Sequence, residues 1–202
     1  MSIIILEHFI IYWGLSLFLF FFDTIFQKDW DKFKLGKLVI PDKISNIVLI
    51  VLTNQILSMP LFYFFNNFSP DVSNIKFLPL TFLIEEVLFY SIHLILHRPY
   101  FYDKIHKIHH RWNSPMAIST FYCHPLEHIF CNVLPILVSA RLSGLGETGM
   151  RIWHAIVMVN TILLAHGGYK LPTKNMHYRH HAEFNCNYGA LGILDYLCGT
   201  LR

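Results

Sequence analysis

The chain has 202 residues, 54% of them apolar, 16% aromatic and only 14% charged, with a formal net charge of +3. A soluble domain of this size has too little interior to hide so much apolar surface, so the composition excludes an ordinary water-soluble globule and points to lipid as the solvent. The mild charge, scattered between apolar runs, excludes a nucleic-acid-binding surface, and the cysteines (Cys123, Cys131, Cys186, Cys198) form no CxxC pair or zinc-finger spacing and read as free thiols.

Residues 3–22 (IIILEHFIIYWGLSLFLFFF) are about one membrane span long, with Glu7 and His8 placed at the interface near its start. They have no basic leader and no small-residue cleavage site, so they read as a retained span. Residues 27–43 are polar and carry Lys28, Lys32, Lys34, Lys37 and Lys43. A second apolar stretch, 44–65, contains Asn54 and Gln55, which should face protein rather than lipid. Pro60 is the place where it should kink. A loop over 66–76 with Pro70 leads to a third stretch, 77–96. A polar, histidine-rich segment follows over 98–128. Residues 129–140 and 151–165 then flank RLSGLGETG and read as a helical hairpin, extended or partly re-entrant.

The expected fold is an all-α integral membrane protein with about four transmembrane helices, a single domain over 1–202, topped by a histidine-rich helical cap. The lysines of 28–43 and the basic residues Arg98, Lys104, Lys107 and Arg111 put that cap in the cytoplasm. An even number of crossings between His110 and His166 keeps all the histidine clusters on one face.

The histidines carry the chemistry. Of 13, 12 lie after residue 92. Residues at i, i+3 and i+4 share a helix face. That rule groups His93 with His97, His106 with His109 and His110, His124 with His128, and His177 with His180 and His181. His166 stands alone, and His8 and His154 read as polar residues of the interface. This is more imidazole than one metal can hold, so two metals are the natural count. Imidazole suits iron and zinc alike. Iron would activate dioxygen. Zinc would suggest hydrolysis of a membrane lipid, with Glu127 or Glu183 as base. Glu86, Tyr90, His93 and His97 form one stripe, on which Glu86 is a candidate to accept from a ligand's second ring nitrogen. A transporter would place its histidines at mid-bilayer, whereas most of these lie at helix ends.

In this pattern the chain resembles the fatty acid hydroxylase superfamily of membrane di-iron proteins, which includes sterol desaturases, 4-methylsterol oxidases and cholesterol 25-hydroxylases. The resemblance covers 44–202 and rests on three histidine boxes, His93-Leu-Ile-Leu-His97, His106-Lys-Ile-His109-His110 and His177-Tyr-Arg-His180-His181. HPLEH at 124–128, HGGYKLP at 166–172, HAEFNCNYG and LDYLCGT resemble further family segments. Three positions depart from the family pattern. Gly167 stands where the sterol enzymes often have Ser, and Leu194 where Trp is usual. Ile162 stands where the fatty acyl enzymes carry a further ligand, which His124 could replace.

The resemblance implies two iron ions with O2 as co-substrate, oxidising an unactivated C–H of a sterol or related lipid by hydroxylation or desaturation. It implies His93, His97, His106, His109, His110, His124, His166, His177, His180 and His181 as metal ligands, with His128 a further candidate. Glu86, Tyr90, Glu127, Asn187 and Asp195 are candidates to support them from behind, and no catalytic side chain is expected beyond the di-metal centre. Without a fused electron carrier, a separate cytochrome b5 or reductase is the expected donor, and residence in the endoplasmic reticulum is inherited from eukaryotic relatives. The other readings are the zinc hydrolase and an inactive structural homologue. Because ligating imidazoles must be neutral, activity is expected to fade below a pH of about 6.5.

Overall fold

A computed structural model describes residues 3–36, 43–65, 72–170 and 175–202. Lys37, Pro70 and Pro172, singled out above, lie outside the described residues, as does most of the loop over 66–76.

Among the described residues, five helices are long and apolar enough to cross a membrane. They are α1 (Ile3–Ile25), α2 (Ile44–Phe65), α3 (Leu78–Leu96), α4 (Pro125–Ser143) and α5 (Glu147–Ala165). At 1.5 Å per residue, even the 19-residue members approach the roughly 30 Å of a hydrocarbon core. Both hairpin helices are therefore long enough to cross. α4 begins at Pro125, earlier than its apolar run, because His124 caps it: the His124 Nδ1 accepts the Leu126 N–H at 3.2 Å. The α4–α5 turn is set by Gly144, left-handed at φ 80°. α2 runs unbroken through Pro60.

Polar residues inside the spans point at protein. Asn54 donates to the carbonyls of Phe121 and Cys123 at 3.0 and 2.9 Å, and Gln55 accepts from the Trp13 indole at 2.9 Å. Thr81 and Ser143 join α3 to α4 at 2.6 Å. Glu7 pairs with Arg151 across α1 and α5, its contact with Nε being 2.8 Å. His8 and His154 face protein rather than solvent. Both are buried, and they hydrogen-bond to each other at 3.1 Å.

Two apolar clusters hold the bundle. One joins Ile4, Phe62, Leu137, Met150 and Trp153; the other joins Tyr12, Ile47, Val51, Phe121, Met158 and Ile162. Short helical pieces, Pro99–Lys104, His106–Arg111 and Ala117–Ser119, with α6 (Met176–Glu183) and α7 (Ile193–Cys198), build a cap. The end of α3, the start of α4 and the end of α5 all meet this cap, so the antiparallel hairpin returns His166 to the level of His93.

Candidate metal centre

Four pieces of chain deliver the cap histidines. The last turn of α3 carries His93 and ends at His97. The tight His106–Arg111 segment carries His106, His109 and His110. α5 widens into a π-helical turn over Asn160–Ala165 and ends at His166. α6 carries His177, His180 and His181. They meet in two groups: His93, His97, His106, His110 and His180, and His109, His166, His177 and His181. Within each group the ligand-type nitrogens all lie within 4.8 Å of one another.

The rings are aimed by their other nitrogens. His93 Nδ1 donates to the Tyr188 carbonyl at 2.7 Å, His180 Nδ1 to the Cys186 carbonyl at 2.6 Å, and His166 Nδ1 to the Thr161 carbonyl at 2.8 Å. His106 Nδ1 faces Glu127 Oε1 at 2.9 Å, both side chains buried. A proton held on Nδ1 leaves Nε2 with only its lone pair. The Nε2 atoms of His93 and His106 nevertheless face each other at 3.1 Å. Similar Nε2–Nε2 approaches join His106 to His110 at 3.0 Å, His97 to His180 at 3.1 Å and His109 to His166 at 3.3 Å. With Nδ1 of His93, His166 and His180 protonated, these three rings turn a bare Nε2 lone pair into the buried cluster, which a cation between the rings would satisfy. The donor set thus fits two metal ions, one per group, and its all-imidazole chemistry suits iron or zinc.

Burial keeps these rings neutral. It lowers His110 to about 3 and His166 to about 4, and holds His106, His109, His177, His180 and His181 well below the ordinary value, with neighbouring histidines adding to the shift. Neutral imidazole is the ligating form.

Nine of the ten expected ligands converge, and His124 is in neither group, its Nδ1 being engaged in capping α4. His128 lies apart, its ring against Phe121 at 4.9 Å. Ile162 is packed in the apolar core, so the second group stands as four histidines. The supporting residues act differently from expectation. Glu86 touches no histidine; it accepts the backbone N–H groups of Leu191 at 2.7 Å and Leu194 at 3.1 Å. Asp195 accepts from the N–H groups of Tyr188 and Gly189 at 2.8 and 2.7 Å. Asn187 pins the carbonyls of Met176 and Arg202, and Tyr90 pairs with Thr200 at 3.3 Å and sits edge-on to the Tyr188 ring. Glu86, Asn187 and Asp195 therefore brace the loop whose carbonyls orient His93 and His180. Gly189 passes so close to this brace that a Cβ would sit 2.5 Å from Glu86 Oε1. Among the described acids, Glu127 is the one paired with a cluster histidine; Glu183 is engaged in ion pairs with Arg179 and Arg202.

Sequence reasoning missed the carbonyls of Tyr188, Cys186 and Thr161, since any residue supplies one. Nor does local sequence distinguish Lys34 from the other lysines of 28–43. Lys34 is buried against Asp23 at 2.9 Å and donates to the Gly167 carbonyl. Tyr169 adds a hydrogen bond to Asp23 at 2.7 Å. This clip ties the end of α1 to the segment after His166. Gly167 is required there, because a Cβ would meet the Leu163 carbonyl oxygen at 2.1 Å, which explains why Ser is not at this position.

A cavity of about 560 Å³ opens beneath the histidines, within the usual range of ligand pockets. His93, His106, His109, His166 and His177 form its roof, and Phe82, Phe89, Phe121, Ile136 and Trp153 much of its wall.

Comparison with known proteins places this site among relatives. The family model described as Fatty acid hydroxylase matches residues 78–200. Fatty acid hydroxylase domain-containing protein 2 of Homo sapiens is 44% identical over 121 residues, 58% of this chain and 36% of that protein. A putative methylsterol monooxygenase of Dictyostelium discoideum is 30% identical over 181 residues, 76% of this chain and 66% of that protein. A Delta(7)-sterol 5(6)-desaturase of Leptosphaeria maculans is 31% identical over 131 residues, 62% of this chain and 36% of that protein. The match thus spans about a third of the length of the human relative. No solved structure matches the chain at a significant level.

Proposed function

The chain belongs to the fatty acid hydroxylase family, and on that premise we propose that it is a membrane di-iron oxygenase acting on an unactivated C–H of a sterol or related lipid. The observation that carries this reading is the pair of all-histidine groups roofing an apolar cavity. His93, His97, His106, His110 and His180 would hold one iron, and His109, His166, His177 and His181 the other. A pair of irons there supplies oxidation of C–H by O2 and two electrons, the hard chemistry belonging to the cofactor.

The chain's own residues do the rest. Carbonyls of Tyr188, Cys186 and Thr161 fix the tautomers of His93, His180 and His166. Glu127 is the carboxyl placed beside His106 Nδ1, at 2.9 Å, where it would raise the basicity of the ligating nitrogen. Phe89 and Phe121 exclude water from the carbon presented to the roof. Electrons come from a cytochrome b5 or reductase-type donor at the cap, which faces the cytoplasm, in the endoplasmic reticulum of a eukaryotic host. Relatives named as monooxygenase and as desaturase share the family, so hydroxylation and desaturation are both outcomes such a site supports.

The test is metal content of detergent-purified protein after iron-supplemented, anaerobic handling, followed by a lipid-product screen with cytochrome b5 and reductase. The expected result is about two irons per chain, matching the two groups, and O2-dependent product. Zinc that survives iron supplementation, with no oxygen consumption, would sink this reading in favour of a hydrolase using Glu127.

A further inference from the structure

Glu85 and Glu86 are neighbours on α3, and both are buried, yet they serve different ends. Glu86 is fully occupied by backbone N–H groups of the C-terminal loop. Glu85 is not needed for that brace. It is 6% exposed and lines the cavity, and neither of its oxygens takes a hydrogen bond from any described residue. Phe82, Glu85, Phe89 and His93, spaced three, four and four residues apart, form one stripe of α3 along the cavity wall. The lining also holds Cys131, Asn132, Ile136 and Trp153, and among the described residues no Lys or Arg lines the cavity.

A carboxyl placed in an apolar cavity inside a span is costly and marks a functional position. Its requirement is a hydrogen-bond donor, and no described side chain of the wall bonds to it. A ligand can. We infer that Glu85 is the polar anchor of the substrate cavity, binding the hydroxyl of an amphiphilic lipid and fixing which carbon reaches the histidines. Eight residues separate Glu85 from His93, which is roughly 12 Å along the helix axis. The substrate is therefore a lipid alcohol oxidised at a carbon remote from its hydroxyl, and not at the adjacent carbon. This deepens the oxygenase reading and rests on it for the oxidation step, while the anchoring itself needs only the cavity.

The experiment is equilibrium binding to the detergent-purified full chain, read by the fluorescence of the cavity's Trp153 against a Trp153→Phe control. The probes are hexadecan-1-ol and cholesterol, each compared with its own methyl ether. A site built to bond a hydroxyl rejects the analogue that lacks its proton. The native chain should bind at least one alcohol about tenfold more tightly than its ether. Glu85→Leu should erase that preference while ether binding stays unchanged, which also reports an intact cavity. Glu85→Gln, which keeps an acceptor, should retain part of it. A preference that persists in Glu85→Leu, or that is missing from the native chain, overturns the anchor, as does a product oxidised directly beside the hydroxyl. Metal content and oxygen consumption measured on the same preparations separate the two readings. Discrimination without iron or oxidation leaves the anchor standing and removes the oxygenase. Oxidation without discrimination does the reverse.

Discussion

At the cap end of the bundle nine histidines face one another through Nε2, while inside the bundle His8, His128 and His154 are as deeply buried but share one hydrogen bond between them. The inner rings are surrounded by aromatics. His8 stacks on Phe121 at 5.8 Å, and Phe121 stands between it and His128. His8 Nε2, His154 Nδ1 and both nitrogens of His128 have no partner. Burial and histidine count are therefore poor criteria for a metal site. What distinguishes the cap is orientation: backbone carbonyls hold Nδ1 of His93, His166 and His180, and the Nε2 atoms are turned together.

The comparison is tested most severely by His180→Ala. It removes a ring that contacts both His97 and His110, and should abolish activity by at least about 100-fold with loss of bound iron, read by metal analysis and product formation. Activity retained with full metal would mean that the five-histidine group is not a ligand set. Glu127→Gln keeps the shape but removes the carboxyl beside His106, and should lower metal retention by about 10- to 100-fold in a chelator competition. An unchanged chelator midpoint would remove Glu127 from the site.

The inner pair should behave in the opposite way. His154→Leu leaves His8 Nδ1 without its partner and should cost about 1–3 kcal/mol in thermal unfolding while iron content stays the same. Adding His8→Leu should restore much of that loss, since replacing both partners by apolar groups is close to neutral. Iron lost from either variant would merge the two histidine regions into one functional unit.

The smallest effect is on the metal-free protein. His110 and His166 are lowered in the folded chain to about 3 and about 4, against about 6.5 when unfolded. Between those values the unfolded chain binds protons that the folded chain does not, so stability falls as pH drops from about 6.5 toward 4. Unfolding midpoints that rise over that window would contradict neutral, buried cap histidines.

Much of this molecule was legible in one dimension. Apolar runs of span length, the i, i+3, i+4 histidine sets and the inward-facing Asn54 and Gln55 follow from helix periodicity and the cost of polar groups in lipid. The extent of α4 was not legible, because its start is set by a capping histidine and a π-helical turn rather than by hydropathy. Nor was the fate of His124, Glu86 or Lys34. Each has one short side chain or flexible stem and several possible partners, and only the packed chain selects among them.

The sequence by itself determined that the protein is helical, lives in a membrane and carries enough clustered imidazole for two metals. Those properties depend on composition and local spacing, which the chain carries wherever it goes. The tertiary structure decided which histidines meet, which carbonyls aim them, and that of two adjacent glutamates one braces a loop while the other faces a cavity. Those choices depend on residues brought together from more than 100 positions apart, as Glu86 and Leu191 are, and no local pattern encodes such a meeting.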